Sequence, residues 1–184
     1  LCIVVGYKKD SVINACTPYT QHFATQEPQN GTGHAVQCAR HILTQSSQPH
    51  TIILAGDCPL IQPQTLVDLM ATHTKHNATA TILSATLPDA KSYGRILRNT
   101  DNNVIGIKEA KDCTPNQLTI QEFNSGIYCF KTKALIEAIQ QISNNNAQNA
   151  YYLTDTIHYL HNNQQPIAAH CINDANQIAG ANTI

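Results

Sequence analysis

Residues 51–57 read Thr51-Ile52-Ile53-Leu54-Ala55-Gly56-Asp57, a continuous apolar run that stops at a glycine and a carboxylate. A run without polar alternation is the pattern of a strand buried on both faces, as in a parallel sheet covered by helices. Upstream, residues 1–5 form a second such run ending at Gly6, and residues 8–17 and 21–25 read as a helix and a short strand. A helix is predicted over 34–44, with Ala35, Val36, Ala39, Ile42 and Leu43 as its apolar stripe. Another is predicted over 63–76, with Leu66, Leu69 and Met70 on one face. This alternation predicts an open α/β sheet with right-handed crossovers. After Ala78 the pattern changes. Residues 79–86, 94–97, 104–108 and 119–130 are strand-like with turns between them, which predicts a mixed or antiparallel extension. Helices are expected again over 133–143 and 152–162, and a last strand over 166–172.

Composition narrows the function classes. The 184 residues carry 11 Lys+Arg against 12 Asp+Glu, a formal net charge of −1. No basic field is available to hold nucleic acid or an anionic membrane. No apolar run approaches the ~18 residues of a membrane span, and no signal-peptide pattern opens the chain. Only 12% of residues are charged, and 17 Asn and 16 Gln supply the polar surface instead. The length suits one domain, residues 1–184, able to bury a sizeable core. Seven scattered Cys without a C-x-x-C pair argue against a disulfide framework and predict buried free thiols in a reducing, cytoplasmic setting. Nine scattered His without finger spacing argue against structural zinc. His34 reads as a helix start, and His41, His73, His76, His158 and His161 as helix surface.

Ligands of open α/β sheets bind beyond the carboxyl ends of strands. Two loops fall there. Gly31-Thr32-Gly33-His34 leads into a helix, and its glycines permit close backbone approach, although a plain tight turn explains them too. Asp57 in Gly56-Asp57-Cys58-Pro59 suits a metal that bridges to phosphate, or caps the following turn. Ser92-Tyr93-Gly94-Arg95, the Glu109–Asp112 stretch and Asn124-Ser125-Gly126 draw attention jointly. The glycine inside the last of these is the mark of a bulge or a close ligand approach.

The order of these pieces carries a resemblance. Gln26, Gly31-Thr32-Gly33-His34-Ala35, Gly56-Asp57-Cys58-Pro59, Tyr93-Gly94-Arg95-Ile96, Glu109-Ala110-Lys111-Asp112 and Asn124-Ser125-Gly126 follow one another. After them come Asn144-Asn145-Asn146-Ala147-Gln148, Tyr151-Tyr152-Leu153-Thr154-Asp155 and Gly180-Ala181-Asn182. Over essentially its whole length the chain resembles the uridylyltransferase domain of the bacterial bifunctional N-acetylglucosamine-1-phosphate uridylyltransferases. The resemblance implies a Rossmann-like nucleotidyltransferase domain, with a mixed, mostly parallel sheet flanked by helices. It implies transfer of UMP from UTP to N-acetylglucosamine-1-phosphate, giving UDP-N-acetylglucosamine and pyrophosphate. It also implies that Gln26, Gly31, Thr32, Gly56 and Asp57 bind the nucleotide. Gly94, Glu109, Asn124, Tyr152 and Thr154 would surround the sugar phosphate. Asp57, also the catalytic residue, and Asn182 would hold Mg²⁺. The alternatives are a nucleotidyltransferase for another hexose-1-phosphate, or a non-catalytic nucleotide-sugar-binding remnant.

The chain departs from the family at Ala55, where an aromatic residue is usual, and at Ala150 and Pro28, where Glu is usual. The family's first strand, its glycine-rich triphosphate loop with a downstream Lys, and its acetyltransferase β-helix domain have no counterpart in these residues. The expectation is therefore a fragment of the domain, poorly folded and inactive in isolation, with trimers formed only through the acetyltransferase half. The partners implied are the two small-molecule substrates, with no nucleic acid and no membrane.

Overall fold

The computed structural model describes residues 1–181. In chain order the elements are β1 (Ile3–Val5), α1 (Lys9–Cys16), β2 (Phe23–Thr25), α2 (Thr32–Cys38), α3 (Arg40–Gln45), β3 (His50–Ile53) and α4 (Pro63–Lys75). There follow β4 (Ala80–Thr86), β5 (Arg95–Arg98), β6 (Val104–Lys108), α5 (Pro115–Leu118), β7 (Glu122–Lys131), α6 (Thr132–Ala138), α7 (Asp155–Asn162) and β8 (Ile167–Ile172). The expected α/β architecture is present: a mixed sheet with helices on both faces.

The main sheet runs β6-β5-β7-β4-β8, with β3 also paired to β7. β3, β4, β5 and β8 point one way, β6 and β7 the other. β1 and β2 pair in parallel as a separate ribbon. The apolar run at 51–55 needs one correction. β3 is half-buried along its length, and its partner β7 is antiparallel. A continuous apolar run reports contact on both faces and says nothing about the direction of a neighbour.

β4 is the strand buried on both faces. Ala80 and Ile82 face one core with Tyr128, Phe130, Leu135, Ile139 and Ile157, under α6 and α7. Leu83 and Ala85 face a second core with Leu69, Phe123, Ile127 and Cys129, under α4. β7 changes register against β4 between Ile82 and Ser84, so that Ile82 faces Tyr128 but Ser84 faces Asn124. Gly126 sits in that bulge at φ +79°. The Ser125 hydroxyl donates to Leu83 O at 2.6 Å and accepts from Ile127 N at 3.0 Å, replacing ladder bonds that the bulge breaks. The strand interruption expected at 124–126 is this bulge.

Other differences are local. The helix expected over 34–44 is two helices divided at Ala39, and the first begins at Thr32. α5 is a further short helix, started by Thr114-Pro115-Asn116-Gln117, a capping box with Pro at the first helical position. All seven cysteines are free, but only Cys58 and Cys129 are buried. No described helix is long and apolar enough to cross a membrane.

His73 is not helix surface. It is 1% exposed, four residues after Leu69 on the packed face of α4. Its Nδ1 lies 2.9 Å from the Thr81 hydroxyl, its Nε2 is buried without a partner, and the His50 ring meets it edge-on at 5.0 Å. Burial above all, then His50 and Lys131, lowers its pKa to about 4. An unfolded imidazole titrates near ~6.5, so the neutral ring's contribution is whole above that pH and is lost as pH falls toward 4. The loss is expected to reach no more than roughly 3 kcal/mol. In pH-dependent melts, His73→Gln should flatten the decline between pH 6.5 and 4. An identical acid slope in the variant would show that His73 does not drive it.

Candidate functional site

The glycine-rich loop is pinned from one side. Gly33 N donates to Tyr151 O at 2.7 Å, Tyr151 N donates to Asn30 O at 2.8 Å, and Leu153 N donates to the Thr32 hydroxyl at 3.1 Å. Gly31 has φ +102°, and a Cβ there would stand 2.6 Å from Tyr151 O. A Cβ at Gly33 would strike Ile142. These glycines are required by close backbone packing, beyond any need of a turn. From the other side, Gln26 Nε2 donates to Gly31 O at 2.8 Å. Gln26 also lines a cleft of about 660 Å³ with Gly6, Thr25, Gln29, Lys8 and Lys9.

The segment that pins this loop continues directly into a second cluster. The Thr154 hydroxyl donates to Glu109 Oε1 at 2.9 Å. Glu109 Oε2 lies 3.3 Å from where a Cβ on Gly94 would stand, so that glycine gives the carboxylate its room. Asn124 N donates to Gly94 O at 2.8 Å. The Asn124 side chain is fixed by Tyr128 Oη at 2.8 Å and Gly126 N at 3.1 Å, which leaves one amide hydrogen for a ligand. Burial pushes the Glu109 carboxyl above its usual range. The Thr154 hydroxyl opposes this, while Asp155 and Asp112 add to it. The Tyr128 phenol is raised too, by burial and then by Glu109. A half-buried carboxylate, an amide and a hydroxyl side by side form a donor and acceptor set suited to sugar hydroxyls. Tyr152 stands beside this cluster, its hydroxyl accepting from Gln148 Nε2 at 2.8 Å, and Gln148 Oε1 accepts from Lys111 Nζ at 3.1 Å.

Asp57 lies past the carboxyl end of β3, and its side chain is exposed. Among the described residues no backbone N–H takes its carboxylate, so it is not a turn cap; only the Cys58 thiol approaches, at 3.7 Å. Ala181 N donates to Asp57 O at 2.8 Å, and Gly180 N donates to the Tyr93 hydroxyl at 3.0 Å. The chain end is thereby drawn to Asp57 and to the residue before Gly94. Asn182 lies outside the described residues. No group of three or more His, Cys, Asp or Glu gathers among the described residues. The exposed Asp57 carboxylate is a hard oxygen donor that fits Mg²⁺, which keeps waters and substrate phosphates for most of its positions. Gly56 is the one candidate without a structural reason: a Cβ there would meet nothing within 4 Å.

Three residues hold the site in ways that their motifs alone do not show. Tyr128 and Tyr93 orient Asn124 and Gly180 through their hydroxyls. Arg95, 2% exposed, donates to the carbonyls of Lys91, Tyr93, Ala90 and Leu118 and so fixes the loop before Gly94. An arginine beginning a strand reads as surface, and only the fold turns it inward.

A family model described as nucleotidyl transferase matches residues 6–176. The chain is 40% identical over 180 residues to the bifunctional protein GlmU of Shouchella clausii, covering 98% of this chain and 39% of that protein. It is 42% identical over 180 residues to the protein of the same name from Lactococcus lactis, with the same coverage. Against that of Streptococcus pyogenes serotype M3 it is 41% identical over 179 residues, 97% of this chain and 38% of the relative. The chain thus spans about two fifths of the length of the curated relatives it matches.

The loop clamp can be tested by stability alone. Gly31→Ala puts a side chain against Tyr151 O at a left-handed φ and is expected to cost roughly 1–3 kcal/mol. The protein's thermal midpoint should fall by several degrees. An unchanged melt would show that the loop is not packed on Tyr151.

Proposed function

This chain belongs to the nucleotidyl transferase family, and we propose that it carries the transfer of UMP from UTP to N-acetylglucosamine-1-phosphate, releasing pyrophosphate. The observation that carries this reading is the continuity of residues 151–154. Their backbone grips the Gly31-Thr32-Gly33 loop, and their last side chain holds Glu109. A base-sized cleft and a sugar-suited cluster are thereby joined by four consecutive residues. The reading also agrees with the bifunctional relatives named above.

In the reaction, a phosphate oxygen of the sugar phosphate forms a bond to the α-phosphorus of UTP while the bond to the bridging oxygen of pyrophosphate breaks. No covalent enzyme intermediate is needed. Gln26 and the Gly31–Thr32 loop hold the base. Asn124, Glu109 and Thr154 orient the sugar through its hydroxyls, with Gly94 leaving space and Tyr152 closing the side. Rate then comes from alignment of two bound reactants. Asp57 and Asn182 would hold Mg²⁺, which when bound neutralises charge on the phosphate oxygens.

Asp57→Asn removes a charge exposed at the loop tip and should leave folding intact. In the full-length protein it is expected to lower kcat by about 100-fold or more, with a much smaller loss of UDP-N-acetylglucosamine binding. Pyrophosphate release from UTP, with N-acetylglucosamine-1-phosphate and other hexose-1-phosphates as parallel acceptors, measures both the assignment and the acceptor. Near-normal kcat at saturating Mg²⁺ would remove Asp57 from the metal site. Faster turnover with another hexose-1-phosphate would replace the acceptor.

A further inference from the structure

The amide of Gln26 is held at both of its hydrogens. One points to Gly31 O at 2.8 Å, and the same nitrogen lies 3.3 Å from His34 Nδ1. A carbonyl oxygen can only accept, so the nitrogen of the amide must be on this side. An amide nitrogen can only donate, so Nδ1 of His34 must carry a lone pair. The proton of the neutral ring is then on Nε2, which faces the Cys38 sulfur at 3.6 Å, one helical turn on. The Tyr151 ring, 6.3 Å away, flanks the imidazole. Among the described residues no donor takes Gln26 Oε1, and Gln26 lines the 660 Å³ cleft.

We infer that His34 is a positioning residue: with Gly31 O it locks the Gln26 amide so that only its oxygen can meet the base, and the Cys38 sulfur stands where it can accept from Nε2 in the tautomer this requires. The inference rests on the reading of Gln26 as a base-binding residue. It adds a rule of specificity. A locked acceptor takes a base that offers a ring N–H, as uracil does at N3. It leaves its lone pairs facing the lone pair of a base that offers an acceptor there, as cytosine does. A site whose buried acceptor is left unpaired discriminates strongly. An amide free to turn over would present NH₂ instead and accommodate either base. Discrimination between UTP and CTP thus lies with His34, which need not touch the nucleotide.

The test uses His34→Phe, which keeps a flat ring but removes the acceptor, and His34→Asn, whose Oδ1 can stand where Nδ1 was. Thermal melts establish that both fold. In full-length protein the ratio of kcat/KM for UTP over CTP is expected to fall about tenfold or more in His34→Phe and to stay within about threefold of wild type in His34→Asn. The fall should come mainly from KM for UTP. An unchanged ratio in folded His34→Phe would overturn the inference. A second arm needs no turnover: ¹⁵N spectra of labelled wild-type protein should show His34 protonated at Nε2 with a free Nδ1. A proton on Nδ1 would disprove the clamp. If wild type turned over no UTP, the functional reading would fall, and this spectrum would still decide the clamp.

Discussion

The fold depends on a single break in one strand. β7 pairs with β3 through Tyr128–Lys131 and with β5 through Phe123, and between the two lies the bulge at Ser125 and Gly126. A strand of regular register could not meet both neighbours in this way. The sugar-side cluster is built at this break. Asn124, just before the bulge, donates its N–H to Gly94 O. Ala55, at the exit of β3, lies 3.5 Å from where a Cβ on Gly126 would stand. The Ser125 hydroxyl makes the bulge tolerable by satisfying the buried backbone groups that the ladder leaves.

From that break, positioning spreads by backbone hydrogen bonds more than by ion pairs. The loop at 31–33, the segment at 151–154, the turn at 93–94 and the chain end at 180–181 are tied through main-chain N–H groups and carbonyls. The one salt bridge among the described residues, Arg98 to Glu122 at 2.7 Å, braces the far side of β5 and β7. Such a frame suits an amide-rich, charge-poor chain. It leaves Glu109 and Asp57 free of lysine or arginine partners among the described residues.

Much of this was legible from residue order. The pattern of α4 and β6 predicted their bounds to within a residue, because Leu66, Leu69 and Met70 keep one face and the run at 104–108 sits between clear turns. Gly126 marks the bulge in the sequence itself. What escaped were contacts that only folding creates. His73 continues the Leu66–Leu69 face, but an imidazole reads as polar unless Thr81 is known to meet it. His34 reads as a helix start because its partner Gln26 is eight residues away across a loop. The cysteines read as buried from apolar neighbours, yet alternation along β8 turns Cys171 outward. Asn182 lies outside the described residues, and the chain is described only as far as Ala181, whose N–H donates to Asp57 O.

The central proposal is that residues 151–154 link two neighbouring subsites, one at Gln26 and the 31–33 loop for a base and one at Glu109, Asn124 and Thr154 for a sugar. Backbone amide shifts of the ¹⁵N-labelled protein, titrated separately with uridine, N-acetylglucosamine-1-phosphate and UDP-N-acetylglucosamine, test it most directly. Uridine should move Gln26, Gly31 and Thr32. The sugar phosphate should move Gly94, Asn124, Gly126 and Thr154, and UDP-N-acetylglucosamine both sets together. Shifts confined to the separate cleft lined by His76, Asn103, His161 and Gln165 at the opposite end of β4 and β8, or one set moving identically with all three ligands, would contradict the account.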